Sequence, residues 1–181
     1  MGILSKSTFN TYRENVEKSK PINWLNESVN ARQRSSRLGE VTIFLSHKHD
    51  ETFELRNAIA FLNSFGVNVY VDWLDEGMPK NTSGVTAKKI KSKIKEKNKF
   101  IFLATEGAIS SKWCNWELGF GDAQKYIDHI ALLPIQDNVN YSGSEYLQIY
   151  PYIYENDINR GSYYVRFPDG NTIDFVTWLK K

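Results

Sequence analysis

Short runs of consecutive apolar residues alternate with helical segments from residue 40 onward. Strands that are apolar at every position, instead of at every second position, are typical of parallel sheets that helices cover on both faces. Right-handed connections between such strands produce a doubly wound sheet. We place the strands at 41–45, 67–71, 100–104 and 130–135, and the helices at about 52–65, 83–97 and 112–127. The sequence therefore predicts an α/β domain whose ligands bind at the carboxyl ends of the strands.

The C-terminal third of the chain continues this pattern less regularly. Residues 141–170 contain seven of the ten tyrosines and few long apolar runs. We predict a fifth strand near 163–167 and a closing helix over 173–179, which would complete the sheet.

The first 39 residues differ from the rest because they are polar and charged, with sparse apolar positions. Phe9, Tyr12 and Val16 have the spacing i, i+3, i+7, which predicts a helix that docks onto the domain. The alternative for this segment is a partly disordered leader. We therefore divide the chain into an N-terminal extension, 1–39, and a domain, 40–181.

The charge balance narrows the classes of partner. The chain carries 23 Lys and Arg against 21 Asp and Glu, which gives a net charge of +2. Such a chain has no strong overall field for nucleic acid or a membrane, and we expect neither as a partner. We interpret the lysine-rich helix at 83–97 as a solvated face, the alternative being a phosphate-binding strip.

Cysteine content and targeting signals indicate the compartment. Cys114 is the only cysteine, which excludes an intrachain disulfide and is typical of a reducing environment. The sequence has no apolar run of the roughly 18–20 residues that a membrane span requires, and no signal-peptide core. We expect a cytoplasmic protein.

Glycine-rich phosphate-binding loops are missing after every predicted strand. The first strand is followed instead by the polar sequence SHKHD at 46–50. P-loop hydrolases and ordinary dinucleotide-dependent dehydrogenases need such loops, so the sequence argues against both classes.

Two histidines in that polar loop raise the question of a metal. His47 and His49 lie two residues apart with Asp50 beside them, whereas zinc requires three or four ligands. The remaining candidates, His129 and Cys114, lie on other predicted elements. We therefore predict no metal site, and a polar loop that contacts a ligand.

Glu117 lies in the sequence SKWCNWELG, on the helix that follows the third strand. Trp113 is four residues earlier and therefore on the same helical face, where it would make the surroundings of the carboxylate partly apolar. The alternative is an exposed glutamate with Trp113 in the core, and spacing alone favours that alternative.

Three segments in order resemble the Toll/interleukin-1 receptor (TIR) domain. They are 41–50 (VTIFLSHKHD), 66–79 (GVNVYVDWLDEGMP) and 100–119, which ends in SKWCNWELG. The resemblance spans roughly residues 40–140. It implies a flavodoxin-like, doubly wound sheet of five parallel strands, in agreement with the strand pattern.

Many bacterial and plant TIR domains cleave NAD⁺ with a glutamate in the third segment, and this glutamate is similar in position to Glu117. The resemblance implies that NAD⁺ is the substrate and that no separate cofactor is needed. It also assigns a role to residues 72–79 as the BB loop. The substrate-binding residues that it implies are Ser46, His47, Asp72, Trp73 and Trp113.

A carboxylate can assist the cleavage of NAD⁺. Nicotinamide leaves as a neutral molecule while positive charge develops on the ribose, and a carboxylate beside the sugar stabilises that charge. Capture of the sugar by water gives ADP-ribose, whereas capture by the adenine or a ribose hydroxyl of the same molecule gives a cyclic isomer. Trp73 and Trp113 could stack on the ligand and exclude water, which would favour the cyclic product.

The chain resembles the stand-alone TIR component of Thoeris anti-phage systems, in which a separate effector responds to the nucleotide product. We accordingly expect neither an effector nor a large sensor domain in the chain, and self-association through TIR contacts that include the BB loop. The alternative is a non-catalytic TIR scaffold that acts through homotypic contacts, and a third candidate is a nucleoside-transferring hydrolase.

Overall fold

The computed structural model describes residues 3–19, 40–75, 77–79, 83–136, 141 and 143–181. The strands are β1 (Leu4–Ser5), β2 (Thr42–Ser46), β3 (Asn68–Tyr70), β4 (Lys99–Ala104), β5 (Ile130–Gln136), β6 (Tyr152–Glu155), β7 (Tyr163–Arg166) and β8 (Thr172–Asp174). The helices are α1 (Lys6–Ser19), α2 (Thr52–Ser64), α3 (Gly84–Glu96), α4 (Glu106–Ser110), α5 (Lys112–Gln124), α6 (Tyr146–Ile149) and α7 (Phe175–Lys180). Short 3₁₀ turns occupy Asp72–Leu74 and Ile127–His129. None of these described helices has the length and apolar character needed to cross a membrane.

One sheet contains all of the described strands, in the order β3-β2-β4-β5-β6-β7-β8, with β1 paired to β5. The strands from β2 to β6 run parallel to one another. Numbered along the chain, these five strands have the order 2-1-3-4-5, which is the flavodoxin-like order. The predicted fold class is therefore confirmed.

The fifth parallel strand is not the one that the sequence indicated. The segment near 163–167 forms β7, but β7 runs antiparallel to β6, with Ile153 opposite Val165. The fifth parallel strand is β6, which pairs with β5 at Leu132 and Tyr152. The predicted closing helix begins later, at Phe175, because the preceding residues pair with β7 as β8.

Two layers of buried side chains explain why the central strands are apolar throughout. Ile43 and Leu45 of β2 belong to the cluster that α1, α2 and α7 cover, whereas Phe44 belongs to the cluster that α3 and α5 cover. Phe44 stacks on Phe100 of β4 with ring centroids 5.6 Å apart. Because both faces are buried, each strand must be apolar at consecutive positions.

The described part of the N-terminal segment contributes to this core. β1 pairs with the end of β5, and Leu4 and Phe9 are each 1% exposed. Phe9 contacts Phe61 of α2, with ring centroids 5.3 Å apart. Residues 20–39 lie outside the described residues, so the division of the chain at residue 40 stays a prediction.

Candidate active site

The carboxyl ends of β2, β3 and β4 meet where the strand order reverses. Phe44 is paired with Tyr70 on β3, and Ser46 is paired with Phe102 on β4. Continuing the β2–β3 register by two residues brings Asp72 opposite Ser46. Such a reversal point is the usual place for a ligand crevice in an open α/β sheet.

Helix α5 carries Glu117 to this crevice. The hydroxyl of Ser111 caps the helix by accepting a hydrogen bond from the backbone N–H of Cys114, at 3.3 Å. The buried residues of α5 follow the spacing i, i+3, i+4, i+7, and Glu117 is one of them. Gly121 lies against Phe100, where a Cβ would come within 3.1 Å of the ring, so the helix packs closely on β4.

Glu117 is 3% exposed, and its Oε2 accepts a hydrogen bond of 2.6 Å from the hydroxyl of Ser46. Burial, as the largest cause, and the charge of Asp72 raise the pKa of Glu117 to about 8. Hydrogen bonds from Ser46 and Trp113 and the charge of His49 act in the opposite direction. A cationic group in the crevice would favour the ionised carboxylate, because an opposite charge lowers the pKa.

Two histidines lie beside Asp72. His49 Nε2 is 3.1 Å from Asp72 Oδ2, and this hydrogen bond raises the pKa of His49. His47 Nδ1 is 4.0 Å from Asp72 Oδ1 and 3.3 Å from the carbonyl oxygen of Leu45. Burial lowers the pKa of His47 to about 4 despite the opposing effect of Asp72, so its ring is neutral at physiological pH.

Of the two tryptophans implied by the resemblance, only Trp113 has a side chain among the described residues. Trp113 is partly exposed and contacts Trp116, with ring centroids 4.8 Å apart. The alternative with Trp113 in the core and Glu117 in solvent therefore does not hold, since Glu117 is the buried residue. Trp73 belongs to the 3₁₀ turn after β3, but its side chain lies outside the described residues.

Hydrogen bonds shape the described part of the BB loop. Asp75 accepts hydrogen bonds from the hydroxyl of Tyr70, at 2.8 Å, and from the backbone N–H of Gly77, at 2.9 Å. The ammonium group of Lys89, on α3, donates to the carbonyl oxygen of Gly77. These contacts connect the loop with β3 and α3.

Sequence reasoning missed the tyrosines that support α5. Tyr146 donates a hydrogen bond of 2.7 Å to Asn115 Oδ1, and Asn115 Nδ2 donates at 2.7 Å to the carbonyl oxygen of Ile109. Tyr141 donates at 3.2 Å to the carbonyl oxygen of Ala104, at the end of β4. The clustering of tyrosines was visible in the sequence, but it carried no information on which helix they contact.

A concavity of about 680 Å³ lies elsewhere, between α1 and the connection from β6 to β7. Its described lining is mainly polar and contains none of the site residues predicted from the sequence. The reversal point of the sheet at Glu117 is nevertheless the better candidate site, because it combines a buried carboxylate with shifted pKa values.

Comparison with known proteins gives two relatives. The chain is 26% identical over 151 residues to "Probable 3′ cyclic ADP-D-ribose synthase ThsB′" of Bacillus cereus strain MSX-D12, which covers 77% of the chain and 75% of that protein. It is 22% identical over 81 residues to "Putative cyclic ADP-D-ribose synthase TIR2" of Cytobacillus dafuensis, which covers 43% of the chain and 21% of that protein. No protein-family model matches the chain.

Proposed function

We propose that this chain, a homologue of TIR proteins named as cyclic ADP-D-ribose synthases, cleaves NAD⁺ and converts the ADP-ribose part into a cyclic product. The observation that carries the proposal is the buried Glu117 carboxylate, which Ser46 holds at the crevice of a flavodoxin-like sheet. Both features agree with what the resemblance to the TIR family implies.

Glu117 acts by electrostatic stabilisation. As the bond between nicotinamide and C1′ of the ribose breaks, the bonding electrons leave with the nicotinamide and the ribose becomes cationic. A carboxylate buried beside the ribose stabilises this charge more strongly than it would in water. Ser46 holds one carboxylate oxygen in place and also favours the ionised form.

The second step decides the product. An adenine nitrogen or a ribose hydroxyl of the same molecule forms a bond to C1′ and loses a proton, so the products are nicotinamide, a proton and a cyclic ADP-ribose. Exclusion of water from the crevice favours this route over hydrolysis. Trp113, together with Trp73 on the BB loop, is the candidate for this exclusion.

The wider proposal follows the TIR resemblance. We place the reaction in the cytoplasm, with NAD⁺ as substrate, no additional cofactor, and a separate effector that responds to the cyclic product as part of anti-phage defence. His47 and Asp72 contact the nucleotide, and a neighbouring protomer contributes its BB loop to the crevice.

Incubation of the concentrated protein with NAD⁺ tests this proposal. Nicotinamide release is the expected result, with NAD⁺ consumed in equal amount. A non-catalytic scaffold would release none at any protein concentration, and a nucleoside-transferring hydrolase would act on free nucleosides in preference to NAD⁺.

The activity per protein molecule should rise with protein concentration, because a crevice completed by a neighbour's BB loop exists only in assemblies. A logarithmic plot of the rate of nicotinamide release against protein concentration should have a slope greater than one at the low end. A slope of one throughout, with a monomer in sedimentation measurements, would contradict a shared site.

The value of kcat/KM for NAD⁺ should rise as the pH increases through about 8, since the pKa of free Glu117 is raised to about 8 and the ionised form is the active one. At pH 6 only about one hundredth of the carboxyl group would be ionised. Ser46→Ala should move the inflection to higher pH, because its hydroxyl lowers the pKa of Glu117. A flat profile between pH 6 and 9, or an inflection unmoved in Ser46→Ala, would show that ionisation of Glu117 does not control the rate.

A further inference from the structure

His47, His49 and Asp72 form a side-chain cluster that the sequence alone did not reveal. The sequence predicted no metal site, because it indicated no third ligand near the two histidines. Asp72 supplies that ligand, because the parallel pairing of β2 with β3 brings the ends of the two strands together. The three ligand atoms all lie within 4.8 Å of one another.

The geometry of this cluster is close to that of a zinc site. Zinc–ligand bonds of about 2.0–2.1 Å in a tetrahedron hold the ligand atoms roughly 3.4 Å apart. His49 Nε2 and Asp72 Oδ2 are 3.1 Å apart, and His47 Nδ1 and Asp72 Oδ1 are 4.0 Å apart. The three ligand atoms, at most 4.8 Å apart, would therefore have to move closer together on metal binding.

The chemistry of the donors also suits a metal. Two imidazoles and one carboxylate are a common ligand set for zinc and similar divalent transition metals, with a remaining position for water. Asp72 is 5% exposed, so water screens its negative charge only weakly. A metal on Nδ1 of His47 would take the place of the contact with the carbonyl oxygen of Leu45, and the ring proton would then lie on Nε2, which is buried and has no hydrogen-bond partner among the described residues.

We propose that His47, His49 and Asp72 form a binding site for a divalent transition metal of the zinc type, and that the bound metal inhibits NAD⁺ cleavage. Inhibition follows because Ser46, which holds Glu117, directly precedes His47, and because a metal on Asp72 occupies the crevice that the nucleotide must enter. The inhibitory part rests on the proposed function, whereas metal binding does not.

Binding is measured on the full chain without a histidine tag, after treatment with a chelating resin. Co²⁺ titration followed by visible absorption, and calorimetry with Zn²⁺, should show one equivalent of metal bound. His49→Ala should lower the affinity by at least about 10–100-fold, the loss seen when even a supporting residue of a metal site is removed. Its side chain is 58% exposed, so its removal leaves the core intact.

His129→Asn is the matched control, because it removes a histidine at the opposite end of the sheet. It should leave the affinity for Zn²⁺ unchanged. Asp72→Asn should weaken binding as His49→Ala does. Equal affinity in the wild type and in His49→Ala, or no binding to the wild type at millimolar Zn²⁺, would overturn the metal site.

Inhibition is measured as the ratio of nicotinamide release with and without Zn²⁺ within each variant. In the wild type this ratio should be about one tenth or lower, and it should return to near one when a chelator is added. In His49→Ala it should stay near one. Binding of Zn²⁺ without a change in this ratio would overturn the inhibitory role alone. Cleavage of NAD⁺ that appears only when Zn²⁺ is added would likewise overturn the inhibitory role. Absence of cleavage both with and without metal would count against the proposed function and leave the binding result standing.

Discussion

Glu117→Gln is expected to lower the rate of NAD⁺ cleavage by at least about 10²–10³-fold, the usual cost of removing a group that stabilises charge in the transition state. Glutamine has nearly the same shape and can still accept the hydrogen bond from Ser46, but it cannot carry the negative charge that balances the cationic ribose. Nicotinamide release under conditions that support assembly is the measurement. The loss should appear mainly in kcat, because the charge interaction is strongest in the transition state.

Two controls separate this effect from a folding defect. Glu14→Gln makes the same chemical change at an exposed position of α1 and should retain full activity. Glu117→Gln itself should be folded and more resistant to alkaline pH than the wild type. Since burial raises the pKa of Glu117 in the folded state to about 8, the stability that its protonated form provides is present at low pH and lost as the pH rises through about 8. A folded Glu117→Gln protein that keeps more than a tenth of the activity would contradict the role assigned to Glu117.

Phe61→Ala should lower the free energy of unfolding by about 3–5 kcal/mol, which is the usual cost of truncating a buried phenylalanine to alanine. Phe61 of α2 is 0% exposed. Its ring lies 5.3 Å from that of Phe9, 5.2 Å from Tyr12, 4.8 Å from Tyr163 and 6.0 Å from Phe175, measured between centroids. Truncation therefore leaves a cavity where α1, α2, β7 and α7 meet. Urea unfolding followed by circular dichroism gives the change.

Ile158→Ala is the matched control for this experiment, because it also truncates an apolar side chain but at a position that is 97% exposed. Its effect should stay within about 0.5 kcal/mol, as is usual for surface substitutions. A loss below about 1 kcal/mol for Phe61→Ala would show that the N-terminal helix and the C-terminal elements do not share one core.

The parts of the fold that could be predicted from the sequence are those determined by local patterns. Residues 43–45 and 100–104 are apolar at consecutive positions because both faces of β2 and β4 are buried, so a parallel sheet was the correct inference. The predicted helix at 52–65 corresponds to α2, which is followed at Gly66 by a φ of 75°, a value that glycine adopts readily. The catalytic role predicted for Glu117 came from the resemblance, because its spacing from Trp113 alone favoured an exposed acid.

The parts that could not be predicted depend on contacts between distant residues. β6 contains a single fully buried position, Ile153, so its sequence resembles an exposed edge more than a central strand. The contact of His49 with Asp72 depends on the pairing of β2 with β3 and has no local signal. The hydrogen bond from Tyr146 to Asn115 likewise joins residues 31 positions apart.

The most direct test of the central claim is the identity of the product that the concentrated wild-type protein makes from NAD⁺. Chromatography and mass spectrometry should reveal nicotinamide together with a nucleotide lighter than ADP-ribose by one molecule of water, and both should be missing with Glu117→Gln. Intact NAD⁺, or the same product at the same rate from Glu117→Gln, would contradict the account. Linear ADP-ribose as the sole nucleotide would contradict the cyclisation step.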